Sequence, residues 1–349
     1  MKPFSQSHLQ PCNLFHKFSG PILLSLFLVV VSLDVIESGS VVKTLPGFPG
    51  DLPFTLETGY SIAVIQYLVF LSLYYCHSLF YYFIESEGNP KNDPLMLWLT
   101  GGPGSSVLGA IMYEIGPFTI NNANSTWERQ MLQLKPYSWT KAANIIFVDQ
   151  PAGSGFSYAK TPEAYMTNDT FATMHGYQFI RKWLVDHPMF LNNSFYVGGD
   201  SYGGILVATI VQDIYNGNQV GERPHINIKG YVLGNAGTDT HDEFNSRIRY
   251  AHKMALLSDT IYKSTKENCH GEYLNVDTNN TLCVNDLQAV DKCLGRIFVE
   301  HILEPICDTP YTIKYDIFRR GLRSIDNDSM HIWPLPQVQN QACRVLLSL

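Results

Sequence analysis

The stretch "FYVGGDSYGG", Phe195 to Gly204, decides the fold. A short apolar run, "SFYV", leads into Gly199-Asp200-Ser201-Tyr202-Gly203, and "YGGILVATIVQDIYNG" continues with helical spacing. A serine between two such glycines, with a strand before it and a helix after it, fits the G-x-S-x-G nucleophile elbow. That turn is too tight for side chains at the flanking positions, so the serine projects at the end of the sheet. The helix N-terminus behind it favours developing negative charge. Ser201 is the candidate nucleophile; a glycine-rich strand-to-helix turn without chemistry is the plainer alternative.

A second motif supports the first. "PLMLWLTGGPGSS" is a buried-strand run that stops at a glycine-rich turn, Thr100 to Ser106. Acyl transfer needs two backbone N–H donors for the tetrahedral oxyanion. Tyr202, after the serine, and Gly102, in this loop, are the candidates. "NIIFVDQPAGSGFSY" repeats the strand-to-loop pattern from Asn144 to Tyr158. "TFATMHGYQFIRKWLVDHP" has helical spacing and ends at Pro188, and "IKGYVLGNAGTD" is another buried strand ending in a loop. Alternating strands and helices predict an α/β domain with a mostly parallel sheet and helices on both faces. The helical, cysteine-bearing segment from about 240 to 307 reads as an inserted cap.

The chain has 349 residues, 16% charged, with a formal net charge of -7. No basic stripe or Lys/Arg block is present, so nucleic acid is not an expected partner. Lys2 and Lys17 precede the apolar "PILLSLFLVVVSL", Pro21 to Leu33, and small residues follow at "ESGS", Glu37 to Ser40. This predicts a signal peptide over residues 1–40, with an N-terminal membrane anchor as the alternative. Asn124, Asn168, Asn192, Asn279 and Asn327 each begin an N-x-S/T sequon. Together they point to the secretory route and a secreted or vacuolar glycoprotein. Cys269, Cys283, Cys293 and Cys307 fall in one short region and read as local disulfides, Cys269–Cys283 being favoured although spacing alone does not fix pairing. A zinc site needs tighter pairs such as C-x-x-C, so no metal is expected. Between Tyr60 and Ile84 there is no Lys, Arg, Asp or Glu. That length could span a bilayer; the competing reading is two β-strands, since "SLFYYFIES" has strand composition.

Taken together, these residues resemble the serine carboxypeptidase family. The likeness runs through "LWLTGGPG", "YEIGPF", "PYSWTKAANIIFVDQPAGSGFSYA", "FYVGGDSYGG", "GYVLGNAGTD", "NSRIRYAHKMALLSDTIYKSTKENCHGEYLNVDTNNTLC" and "HILEPIC", covering about Leu45 to Cys307. It implies an α/β-hydrolase fold with a helical, disulfide-bearing cap, no cofactor, no metal, and a Ser–Asp–His triad. It also implies a substrate-binding set of Thr100, Gly101, Glu114 and Asp200. Family peptidases carry Asn where Thr100 stands and Glu where Asp200 stands, and use those groups with the equivalent of Glu114 to hold a C-terminal carboxylate. Thr100, Asp200 and Asp149 look more like the plant branch of acyltransferases, which move an acyl group from a glucose ester to another alcohol. Gly204 follows the peptidase pattern, so both subtypes stay open.

The pattern also departs from the family. Ser105 stands where relatives have a cysteine, and the apolar stretch after Tyr60 replaces a charged hairpin. Beyond Cys307 the likeness fades. "RGLRSIDNDSMHIWP" faintly resembles the loop of the catalytic aspartate, which would be Asp328; an ordinary acidic loop residue is the alternative. No segment matches the family's Gly-Gly-His. His175, His187, His225, His241, His252, His270 and His301 precede any such loop, and His331 is only three residues from Asp328. The expectation is an incomplete set of C-terminal strands and helix. If the site is active, its substrate is a small-molecule ester or peptide. Activity is expected to be absent or very low, and a non-catalytic truncated paralogue or splice product is the alternative.

Overall fold

Continuous buried runs such as Leu95–Leu99 and Asn144–Val148, and helical spacing in two long segments, set the architecture. The computed structural model describes residues 37–67, 73–121, 123–126 and 129–295, with 297 and 302–303. Most of the predicted leader, together with Asn327, Asp328, His301, His331 and Cys307, lies outside the described residues.

The strands are β1 (Glu37–Val42), β2 (Leu56–Tyr67), β3 (Leu73–Ile84), β4 (Leu95–Leu99), β5 (Phe118–Ile120), β6 (Leu132–Leu134), β7 (Asn144–Val148), β8 (Tyr158–Ala159), β9 (Phe195–Asp200) and β10 (Ile228–Gly234). The main sheet runs β1-β2-β3-β7-β4-β9-β10, with β8 added to β3. β7, β4, β9 and β10 are mutually parallel, whereas β1, β2 and β3 are antiparallel. The chain runs from β4 to β7 on one side and then returns to β9 on the other. β4 therefore lies at the reversal of strand order, where α/β sheets leave a crevice beyond the carboxyl ends of the strands.

Two helices cover the sheet, α1 (Asp169–Asp186) and α2 (Gly203–Gln219). Asn168 caps α1 by accepting from the Phe171 amide at 2.9 Å. Alternate residues Leu79, Tyr81 and Phe83 of β3, Leu95, Leu97 and Leu99 of β4, and Phe195 and Val197 of β9 bury against Phe179, Ile180 and Trp183 of α1 and Leu206, Ile210 and Ile214 of α2. Both helices share this one core, so among the described residues these two helices meet the expectation of helices on both faces on one face only.

The apolar stretch from Tyr60 to Ile84 forms β2 and β3, paired from Leu56↔Ile84 to Tyr67↔Leu73. This corrects the bilayer-spanning alternative. The two strands pair their backbones along this length, and Leu79, Tyr81 and Phe83 find their apolar environment under α1. Among the described residues no helix is long and apolar enough to cross a membrane. β1 takes in Glu37 to Ser40, which the sequence reading placed at the end of the leader.

A second unit holds α3 (Thr240–Lys253), α4 (Asp259–Asn268) and α5 (Thr281–Leu294). Its small core is Ile248, Ala251, Leu257 and Val290. Asp239, Ser258 and Asn280 cap the three helices through their side chains. Cys269 and Cys283 are bridged, with Cα atoms 4.8 Å apart. Cys293 is exposed and has no disulfide partner among the described residues; Cys307, the remaining candidate, lies outside them.

With so few buried apolar residues, this unit depends on its cross-link. Closing a loop of 14 residues is worth about 3 kcal/mol in the chain-entropy account. Replacing both Cys269 and Cys283 with serine is expected to lower the helical unit's melting temperature, read by far-UV circular dichroism. An unchanged melt would show that the bridge adds nothing.

Candidate active site

The elbow is shaped by contact with the end of β4. A Cβ at Gly199 would lie 2.5 Å from the Leu99 carbonyl oxygen. One at Gly203 would overlap that same oxygen and sit 3.1 Å from the Thr100 carbonyl. Both glycines of G-x-S-x-G are thus required by one neighbour, the backbone of Leu99–Thr100. Ser201 between them has φ +49°, the left-handed region that costs a side-chain-bearing residue about 1–2 kcal/mol. Its amide donates to the Gly234 carbonyl at 3.1 Å and its carbonyl accepts from Gly204 at 3.1 Å, which hold it there. Ser201 is exposed at the start of α2.

The loop after β4 closes over the same point. A Cβ at Gly101 would lie 2.6 Å from Ser201 Cβ, 2.9 Å from its Oγ and 3.4 Å from the Tyr202 amide nitrogen. Gly102 follows with φ +122°. The structure therefore brings Gly101, Gly102, Ser201 and the Tyr202 amide together, while the Tyr202 hydroxyl turns away to donate to Asp169. The loop is held by Asp149, which follows β7 and is fully buried. Its Oδ1 accepts from Ser106 Oγ at 2.8 Å and the Val107 amide at 2.9 Å, and its Oδ2 from the Phe156 amide at 2.9 Å. Burial pushes this carboxyl up, and the three donors oppose that shift. The sequence reading used Asp149 only as a marker of subtype. The signal for its structural role was an acid ending an otherwise apolar strand.

A cavity of about 330 Å³ opens beside Ser201, lined by Trp98, Glu114, Ile115, Trp139, Asp200, Gly234 and Asn235. Trp98 and Trp139 meet edge to face at 5.6 Å. Asp200 is raised by burial, which outweighs the Thr100 hydroxyl and the Gly101 amide that favour its ionised form. Its Oδ1 is buried with no hydrogen-bond partner. Glu114 is exposed as a residue. Its carboxyl is nevertheless pushed up to about 7, first by desolvation and then by the Asp200 charge, against the opposing pull of Lys135. Thr100, Gly101, Glu114 and Asp200, named from sequence, thus meet at one site. Trp98, Trp139 and Lys135 were not singled out there, although "LWLTGG" and "YSW" carry aromatic residues next to the motifs.

Among the described residues no histidine is hydrogen-bonded to Ser201. His77 and His175 meet with ring centres 4.1 Å apart and planes tilted by 50° in the interior. Burial pushes them down to about 4 and about 3. His187 bonds Glu57 at 3.0 Å, His241 bonds Glu272 at 2.6 Å and His252 bonds Asp259 at 2.7 Å. His270 is exposed in the helical unit. His225 lines a second cavity, about 560 Å³, with Leu191, Asn192, Arg223, Pro224 and Asn227. That cavity lies at the amino ends of β9 and β10, opposite to Ser201, and none of these residues is a hydroxyl or thiol nucleophile. Asp239, His241 and Asp242 are grouped closely enough to hold an ion. All three are exposed, and His241 is already engaged with Glu272. The sequon residues Asn124, Asn168, Asn192 and Asn279 are exposed.

Residues 46–343 match the serine carboxypeptidase family. The chain is 46% identical over 288 residues to serine carboxypeptidase-like 1 of Arabidopsis thaliana, covering 82% of this chain and 64% of that protein. It is 46% identical to serine carboxypeptidase-like 19 of the same plant, covering 83% and 60% respectively. The chain thus spans about three fifths of the length of these relatives. Among solved structures it resembles Kex1(delta)p, a prohormone-processing carboxypeptidase from Saccharomyces cerevisiae, with a TM-score of 0.52 and 20% identity over 72% of this chain and 52% of that one. That likeness supports the α/β-hydrolase fold.

Two outcomes follow from this geometry. Gly203→Ala forces a methyl group into the Leu99 carbonyl and is expected to cost about 1–3 kcal/mol, read as a lowered urea midpoint. Glu114 is raised from 4.5 to about 7 on folding. Below pH 4.5 both states hold the proton, and as pH rises toward 7 the unfolded chain releases it first, so folding loses stability. Glu114→Gln removes this loss. Its melting temperature relative to wild type is expected to rise between pH 4.5 and 7 and to level off above, as thermal melts across pH will test.

Proposed function

The chain belongs to the serine carboxypeptidase family, and on that premise we propose that its site is built for acyl transfer through Ser201. Ser201 Oγ attacks the carbonyl carbon of an ester or peptide, its proton passing to a base. The Gly102 and Tyr202 amides hold the oxyanion. Collapse expels the leaving alcohol or amine and leaves an acyl-enzyme, which passes its acyl group to an alcohol or to water. The observation that carries this reading is the strained serine between two glycines, seated against Gly101 and opening on a cavity with two carboxyls. Glu114 and Asp200 bind the leaving-group end of the substrate. With Thr100 in place of an amide and Asp200 in place of a longer acid, that end suits the hydroxyls of a glucose ester better than a peptide carboxylate.

Turnover is very low or absent in this reading. Among the described residues no imidazole is hydrogen-bonded to Ser201, and a serine without that base loses several powers of ten in rate, keeping only binding and oxyanion stabilisation. The absence, among the described residues, of a histidine hydrogen-bonded to Ser201 supports a second reading, a ligand-binding protein without catalysis. The exposed sequons fit passage through the secretory pathway to a secreted or vacuolar location.

Hydrolysis of a simple activated ester is the test. A slow rate that Ser201→Ala abolishes supports the acyl-enzyme, and a rate that survives Ser201→Ala sinks it. A fast rate lost in Ser201→Ala keeps the nucleophile and overturns the low-turnover half. Acyl transfer from a glucose ester, against release of the last residue of a blocked dipeptide, separates the two subtypes.

A further inference from the structure

The wall of the Ser201 cavity that carries Glu114 is a short π-helical turn, Ala110–Glu114. Such turns leave carbonyl groups without the usual partners, and they need donors from elsewhere. Here the donors come from one segment just after β6. The Lys135 amide donates to the Pro117 carbonyl at 2.7 Å. Ser138 Oγ and the Trp139 amide both donate to the Ile115 carbonyl, at 3.0 and 2.9 Å. The Lys135 ammonium donates to the Tyr113 carbonyl at 3.1 Å and also to the Glu114 carbonyl. The carbonyls of Tyr113, Glu114, Ile115 and Pro117 are therefore all bonded by Lys135, Ser138 and Trp139, and only Lys135 among those three carries a charge.

The geometry points to Lys135 as a positioning residue: it pins the Glu114 backbone in the cavity wall and places a positive charge beside the Glu114–Asp200 carboxyl pair. This rests on the reading that this pair faces the bound substrate. The charged groups that face Glu114 are Asp200 at the end of β9 and Lys135, while β4 contributes the neutral indole of Trp98. Asp200 opposes ionisation of Glu114 and Lys135 favours it. Desolvation in turn lowers Lys135, and the Glu114 charge raises it, so the two groups act on each other. Gaining or losing the lysine charge therefore sets the pH at which the cavity turns from one carboxylate to two.

Tryptophan emission against pH reads this without any need for turnover, because Trp98 abuts the Glu114 carboxyl. The wild-type chain is expected to show a step near pH 7 that Glu114→Gln abolishes. Lys135→Gln keeps a donor for the carbonyls and removes the charge, and should move the step upward by about one pH unit. Lys135→Arg should leave it in place. Lys135→Met is the second uncharged variant should the glutamine chain fold poorly, and circular dichroism checks each fold. The inference is overturned if the step is missing in wild type, stays put in both uncharged variants, or moves as far in Lys135→Arg as in Lys135→Gln. Ser201→Ala should titrate like wild type whether or not Ser201 forms an acyl-enzyme, so failure of the catalytic reading leaves this result interpretable.

Discussion

The approach of the Leu99–Thr100 backbone to the β9–α2 turn is the constraint on which the site depends. Gly199 and Gly203 both border the Leu99 carbonyl at distances that leave no room for a methyl group. Two glycines in one motif thus serve a single steric purpose. The same closeness carries Gly101 against Ser201 and brings the loop after β4 to the amide of Tyr202. Interiors packed at crystal-like density do not absorb such overlaps elastically. The serine's left-handed backbone persists because the sheet on one side and α2 on the other leave it no alternative.

Electrostatics builds a second layer on this scaffold. Asp149 is buried and satisfied by three donors from two loops, so it works as a clamp. Asp200 and Glu114 face the cavity, where desolvation raises both and the Asp200 charge raises Glu114 further, and Asp200 Oδ1 has no hydrogen-bond partner. A buried polar atom without a partner is costly in a fold at rest. At a cavity wall next to an exposed serine hydroxyl, that cost is offset when a ligand supplies the missing partner. Within one small region, then, one carboxylate holds the loop and two are left available.

The segment between Tyr60 and Ile84 shows how an apolar run can be absorbed by a sheet. It has no charged residue to mark a turn. Its residues nevertheless pair across β2 and β3, and the face carrying Leu79, Tyr81 and Phe83 is sealed by α1. His77 and His175 are drawn into that layer, where their rings meet at a tilt and burial keeps them neutral; His77 Nε2 bonds the Ala164 carbonyl, whereas both His175 nitrogens lack a partner. Periodicity alone does not separate such strands from a membrane helix, because a run apolar throughout shows neither the alternation of a half-buried strand nor the stripe of an amphipathic helix.

By itself the sequence determined the strand–elbow–helix at Ser201, the glycine loop at Thr100–Ser106, the α/β class and the Cys269–Cys283 pair as the favoured bridge. Each of these is local: short spacing and residue type suffice when the contacts lie within a turn or between adjacent elements. Only the tertiary structure decided that Asp149 ties two loops together and that Glu114 and Asp200 repel each other across a cavity. It alone showed that Lys135 reaches back to the Tyr113 and Glu114 carbonyls, and that no described histidine meets Ser201. These facts rest on distances between residues far apart in the chain. Desolvation and charge are properties of the assembled neighbourhood rather than of any one residue, and so they become legible only after the chain has folded.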